Sequence, residues 1–278
     1  MAMLFREYID ESESSDSKTL SVGGFVGQDS VWDQLETDWL DSLPEGISYF
    51  HATDCFGGNN EFEPSKGFDI PDRMRLLDRL TDLVCATDIR LICHGIDVPA
   101  YKVHAPKKKK INDFLVNEYI APFEAAIETA CRDFIPTPGF AQGILDTGDI
   151  CAIFFEENDY LHIALEAVRK MRKDQILWWR DRIGNPTHGA KTGSSAIPLL
   201  QVADLGVFLG GKVISNAPDG RIPWRPYYEK LKSANRVWPI GPKLGPKSLA
   251  VLKAIQETLE REKQGKESFW DEIDPKVF

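Results

Sequence analysis

Asp204 stands in IPLLQVADLGVFLGG, where almost every neighbour is apolar, so a helix built from this stretch is buried on most sides. Pro198 belongs in the first turn of such a helix, which puts Asp204 too far along to be an N-cap. A carboxylate at that depth is costly unless a cation or a metal ion compensates it. Gln201, three residues earlier, shares its face. An aspartate satisfied by an arginine or by backbone donors is the plain alternative.

Asp10 and Glu11 follow the apolar run at 3–9 and open a polar stretch. Strand side chains alternate between faces, so only one of the two is expected to point at a shared site. Asp10 directly follows the run and is the better placed; Glu11 reads as a loop acid or an additional ligand. Taken alone, an aspartate at a strand end caps a turn as readily as it binds metal. Glu156 and Glu157 follow CAIFF in the same way, with Asp159 close behind. Glu156 is assigned to the site, and Asp159 to the N-cap of a helix starting near Tyr160.

His51 and Asp54 lie in YFHATD. A neutral imidazole can ligate a metal or move a proton, and an aspartate can orient it; a histidine beside aromatics serves a structural role just as readily. His94, His104, His162 and His188 have no partner visible in the sequence. Arg169, Lys170, Arg172, Lys173, Arg180 and Arg182 surround Trp178 and Trp179. They form either a phosphate-contacting face with stacking aromatics or a charged helix face over core tryptophans. The four lysines at 107–110 read as a solvated loop.

Positioning such groups falls to strands at 3–9, 19–26, 47–50, 89–96 and 151–155, each a short apolar run. Helices are expected at 31–43, 71–86, 111–134, 160–183, 197–213 and about 247–264, from 3.6-residue apolar spacing and from proline starts at 71 and 198. ESESSDSK reads as a hairpin loop. Early strands with helices between and after them predict an α/β fold, a mixed sheet covered by helices.

The chain has 278 residues and is 42% hydrophobic, enough for one sizeable core. No apolar stretch approaches the roughly 18 residues of a membrane span, and MAMLFREYID turns acidic before a signal-peptide core could form, so a cytoplasmic chain without membrane contact is expected. Five cysteines without CxxC spacing read as reduced core thiols. A net charge of −10 disfavours simple electrostatic nucleic-acid binding, unless cations neutralise a carboxylate cluster. Neither a GxGxxG or P-loop phosphate cradle nor a GxSxG elbow is present.

Four motifs in order, YIDES, FHATDCF, FFEEND and LLQVADL, span Tyr8 to Leu209. Together they resemble the uncharacterised family called domain of unknown function 3800, placed with ribonuclease H-like folds; QxxAD in an apolar helix is the most specific element. The family usually reads DESG where this chain has Glu13 in the glycine place. Asn158 likewise replaces a common glycine, a change suited to asparagine's access to left-handed backbone. The resemblance implies a ribonuclease H-like mixed β-sheet flanked by α-helices, with a hairpin start, an acid on the central first strand and another on a late helix. It implies a single domain over 1–278, with helical insertions at about 97–140 and a proline-rich C-terminal extension at about 215–278.

By the same resemblance, Asp10, Glu156 and Asp204 would hold two Mg²⁺ or Mn²⁺ ions for phosphodiester cleavage, with Glu11 as a further ligand. His51 or Asp54 would assist the water or contact substrate, Gln201 would orient Asp204, and DNA or RNA would be the partner. The alternative is an inactive module of the same fold that binds nucleic acid or a protein partner, with a role in defence against mobile DNA. A metal-independent hydrolase built on His51 lacks a nucleophile.

Overall fold

A computed structural model describes residues 4–14, 18–104, 110–111, 114–115, 118–134, 150–173, 180–191, 193 and 196–238. Five strands form one mixed sheet: β1 (Leu4–Glu13), β2 (Thr19–Gln28), β3 (Ile89–Asp97), β6 (Ile150–Glu156) and β7 (Ile183–Gly189), in the order β3-β2-β1-β6-β7. Strands β1, β2 and β3 pair antiparallel, whereas β6 and β7 run parallel to β1. Between β3 and β6 lie α4 (Val98–His104), a two-residue-strand hairpin, β4 (Lys110–Ile111) with β5 (Phe114–Leu115), and α5 (Ile120–Glu128), which continues into a π-helical turn at Thr129–Phe134.

Helices cover both faces of the sheet. Tyr8, Phe25, Leu91 and Cys93 pack against α1 (Trp32–Ser42), α2 (Ala52–Gly57), α3 (Ile70–Ala86), α7 (Leu200–Ile214) and α8 (Arg225–Ser233). Phe5, Ile9, Val22, Val26 and Ile92 face α5 and α6 (Leu161–Met171) on the other side. Burial on both faces explains why the central strands read as unbroken apolar runs such as TLSVGGFV. Helix α7 lies close on the sheet. A Cβ at Gly206 would fall 2.4 Å from the Phe25 ring and 2.9 Å from Leu91, so glycine permits the approach.

Several boundaries differ from expectation. Asp10 and Glu11 lie inside β1, not at its end, because backbone pairing with the apolar β2 continues to Glu13↔Leu20. Residues 47–50 form no strand; they lead directly into α2. The helix expected at 111–134 begins only at Ile120. The one expected at 160–183 ends at Met171, and β7 takes over from Ile183. IGNPTHG carries a proline and little apolar character, which only an edge strand tolerates. Helix α3 starts at Ile70, behind an Asp69–Asp72 capping box. Helix α8, from WRPYYEKL, packs on α3 and α7, and Val237 pairs with Leu91 beyond it. The helix expected near 247–264, Lys107–Lys109, Trp178 and Trp179 lie outside the described residues. All five cysteines are free, four of them buried. Among the described residues, no helix is long and apolar enough to cross a membrane.

Candidate functional site

Strands β1, β6 and β7 run parallel, so their carboxyl ends meet at one rim of the sheet, where open α/β sheets bind ligands. Register Ile9↔Phe155 is the last pairing of β1 with β6, and it sets Asp10 beside Glu156. Both point to the face covered by α7, whose apolar surface carries Asp204 down onto the sheet.

A residue not selected from the sequence sits among them. Lys191, just beyond β7, is buried, and its ammonium lies 2.8 Å from Asp10 Oδ2, 3.2 Å from Glu156 Oε2 and 3.5 Å from Asp204 Oδ1. Burial opposes the charge of Lys191, but Asp204, Asp10 and Glu156 together outweigh it and hold the ammonium above the ordinary lysine range. Burial raises the Asp10 carboxyl to about 6, with Lys191 restraining the rise and Asp204 adding to it. Glu156 is raised by burial too, again against Lys191. Because Asp10 and Asp204 share one ammonium at these distances, they lie inside the roughly 8 Å beyond which ions about 4 Å apart could not bridge them.

Glu11 points to the opposite face of β1 from Asp10, as strand alternation requires. Among the described residues β1 pairs with β6 only as far as Ile9, and beyond that point the Glu11 carboxylate lies near those of Asp10 and Glu156. Asp10, Glu11 and Glu156 each present a carboxylate oxygen within 4.8 Å of the others, a group able to hold a metal ion. Strand alternation alone sends only one of Asp10 and Glu11 to the site; the expectation of Glu11 as an additional ligand agrees with this grouping. Burial, then the charges of Asp10 and Glu156, push the Glu11 carboxyl up to about 8. Asn158 Nδ2 donates to Glu11 Oε1 at 2.6 Å, and Asn158 Oδ1 accepts from the Tyr160 backbone N–H at 2.8 Å. Asn158 does not adopt left-handed backbone; its side chain positions Glu11 instead. It also replaces Asp159 as the residue that organises the entry to α6, which has no side-chain cap at its N-cap, Tyr160.

Asp204 divides its oxygens. Oδ2 accepts from the Ala52 backbone N–H at 2.6 Å, while Oδ1 faces Lys191 and, at 3.9 Å, His51 Nε2. The plain alternative for Asp204 thus has a basis, with a lysine in the arginine's place: backbone satisfies one oxygen and an ammonium the other. His51 Nδ1 lies 2.9 Å from Asp54 Oδ2. The hydrogen bonds of the Gln201 side chain go elsewhere than to Asp204. Its Oε1 accepts from Phe50 N at 2.8 Å and Trp39 Nε1 at 3.2 Å, and its Nε2 donates to the Lys191 carbonyl at 3.1 Å. Gln201 thus fixes the two segments that deliver His51 and Lys191, a correction to its expected role.

The basic residues of α6 are not part of this arrangement. Helix α6 returns from the carboxyl end of β6 to the start of β7, so Arg169, Lys170, Arg172 and Lys173 lie towards the far rim. Arg172 donates to Asn185 near the start of β7, and Glu166 pairs with Lys170 at 3.2 Å. Of the remaining histidines, His94 bonds Thr129 Oγ1 at 3.0 Å and His188 packs beside Phe155.

Lys191 was hidden because GAKTGSSA reads as a loop, and no local pattern marks a lysine there as buried. The only available signal was indirect: Asp204 needed a cation, and the basic residues near its helix were few. Compared with protein-family models, with curated proteins and with solved structures, the chain matches none of them.

Proposed function

We propose that the protein is a metal-dependent nuclease, or a related phosphoryl-transfer enzyme, built on a ribonuclease H-like sheet. The observation that carries this reading is the convergence of carboxylates from β1, β6 and α7 on one buried cationic position. The hairpin start, Asp10 on the central strand and Asp204 on a late helix agree with what that fold implies. Hard carboxylate oxygens suit Mg²⁺ or Mn²⁺, and Asp10, Glu11 and Glu156 each offer one within 4.8 Å of the others.

Asp10, Glu11 and Glu156 would hold the ion, with Asp204 supporting from α7. When bound, such an ion activates water and offsets charge on the leaving oxygen of a phosphodiester. His51, oriented through Nδ1 by Asp54, keeps Nε2 facing the carboxylates and accepts the proton of the attacking water. Lys191 holds the carboxylates together and adds positive charge where phosphate oxygens arrive. DNA or RNA is the proposed substrate.

The inactive-module alternative is favoured by one observation, that Lys191 already supplies a cation to the nest. The test is a cleavage assay on single-stranded, duplex and hybrid substrates with Mg²⁺, Mn²⁺ or EDTA. Metal-dependent cleavage is expected from the wild type, with loss of at least about 100-fold in Asp10→Asn and Asp204→Asn. No cleavage by the wild type, or equal cleavage by both variants, would sink the proposal.

A further inference from the structure

We infer that Arg73, on α3, is a positioning residue of the site: its guanidinium grips the carboxyl end of α2 and so keeps His51 and Asp54 in register with Asp204. The catalytic consequence rests on the nuclease reading above; the positioning itself does not. Helix α2 has six residues, too few to hold a helix by itself, so its place is set by what grips it. Its Phe56 ring packs on Phe208 of α7 and Tyr227 of α8, but apolar contacts are non-directional and leave a ring free to slide. The directional contacts lie at the two ends. At the start, Ala52 N–H donates to Asp204 Oδ2 at 2.6 Å. At the finish, Arg73 Nη1 donates to the Cys55 carbonyl at 2.9 Å and to the Phe56 carbonyl at 3.3 Å. These belong to the last turn, whose carbonyls have no partner within the helix.

Arg73 is an expensive way to end a helix. It is 3% exposed, forms no ion pair with a carboxylate of the described residues, and its Nε has no hydrogen-bond partner. Burying a guanidinium against neutral carbonyls alone costs free energy. Closing α2 does not require it, because left-handed Gly58 already donates to the Asp54 carbonyl at 2.7 Å. A Cβ at Gly58 would lie 2.6 Å from Arg73 Nη1, so the same glycine also makes room for the guanidinium. What Arg73 adds is a tie between two helices. It leaves the first turn of α3, which the Asp69–Asp72 capping box fixes. The helix it grips carries the base: the His51 carbonyl accepts from Cys55 N at 2.9 Å, and Asp54 Oδ2 lies 2.9 Å from His51 Nδ1. With only the Ala52 bond left, α2 can pivot about Asp204, and the 3.9 Å approach of His51 Nε2 to Asp204 Oδ1 is no longer held.

The test compares Arg73→Met with Val84→Ala, a core truncation farther along α3 that destabilises the fold without touching the α2 carbonyls. Amide hydrogen exchange of the full chain is followed in both. Relative to Val84→Ala, Arg73→Met is expected to exchange the Ala52 amide at least about tenfold faster, with no such excess at central-strand amides such as Val22. In the cleavage assay above, Arg73→Met is expected to lose at least about tenfold in kcat per folded molecule with KM within about threefold, since a misplaced base is felt in the transition state. Arg73→Lys, which keeps one charged donor, should fall between wild type and Arg73→Met in both readouts, and it decides the matter should Arg73→Met fail to fold. An Ala52 amide no faster than in Val84→Ala, or a kcat equal to that of Val84→Ala, would overturn the inference and leave the nuclease reading standing. A wild type that cleaves nothing would sink the nuclease reading, and the exchange comparison would still decide the positioning.

Discussion

Glu7 is the least comfortable residue of the sheet. It is fully buried on β1, on the face opposite Asp10, and neither carboxylate oxygen has a hydrogen-bond partner. Burial raises its carboxyl to about 8, so the folded chain keeps this proton at neutral pH. In the unfolded chain a glutamate loses it near pH 4.3. Between these values the folded state binds more protons, so stability falls as pH rises and the loss is complete above about pH 8. Glu7→Met fills similar space without an ionisable group. It is expected to exceed the wild type in stability by on the order of 3 kcal/mol at pH 8, a gain that shrinks towards pH 5. Denaturant melts at the two pH values check this; a difference independent of pH would refute the assignment. The site carboxylates, by contrast, share burial with a cation, and this division between neutral Glu7 and paired Asp10 is set by which face of one strand each occupies.

At the level of elements, the decisive contact is α7 on β2. Gly206 lets the helix approach Phe25 and Leu91, and that approach places Asp204 over Asp10 and Lys191. Gly206→Ala must push a buried ring or a leucine aside, and a destabilisation of about 1–3 kcal/mol is expected in thermal or chemical unfolding, although alanine is the better helix former. A neutral or stabilising result would show that the helix–sheet gap is wider than described. Elements whose apolar period belongs to them alone were legible in the sequence: α3 and α7 by their helical faces, β3 and β6 by their apolar runs. Others were not. Among the described residues β7 is an edge strand with no partner on its outer side, so IGNPTHG can be polar and contain proline. The chain at 160–183 keeps helical composition past Met171, yet a parallel β7 must begin there for the chain to return to the sheet.

At the scale of the whole molecule, a net charge of −10 coexists with a site that gathers four acids at one rim. A divalent cation bound there would relieve part of that repulsion in the folded state only, since the unfolded chain scatters the carboxylates. Mn²⁺ at about 100 times its Kd is therefore expected to stabilise the wild type by about 2.7 kcal/mol, read as a rise in Tm that EDTA reverses. Glu11→Gln should lose this rise. An equal shift in that variant would place the ion elsewhere. The basic end of α6 lies towards the other rim, where Arg172 bonds Asn185, and the cation at the acidic site is Lys191.

The sequence by itself determined the α/β class, the apolar runs of the central strands, and the fact that Asp204 sits too deep to remain uncompensated. It also singled out Asp10 and Glu156, because each breaks an apolar run with a carboxylate. What compensates Asp204 was decided only by the tertiary structure. Lys191, Asn158 and the part played by Glu11 depend on where β6 stops alongside β1 and on where β7 delivers the chain. Such contacts join residues far apart in sequence, and no local periodicity encodes them. Hydrophobic spacing reports which side of an element is buried; it carries no record of which charge waits on the other side of the core.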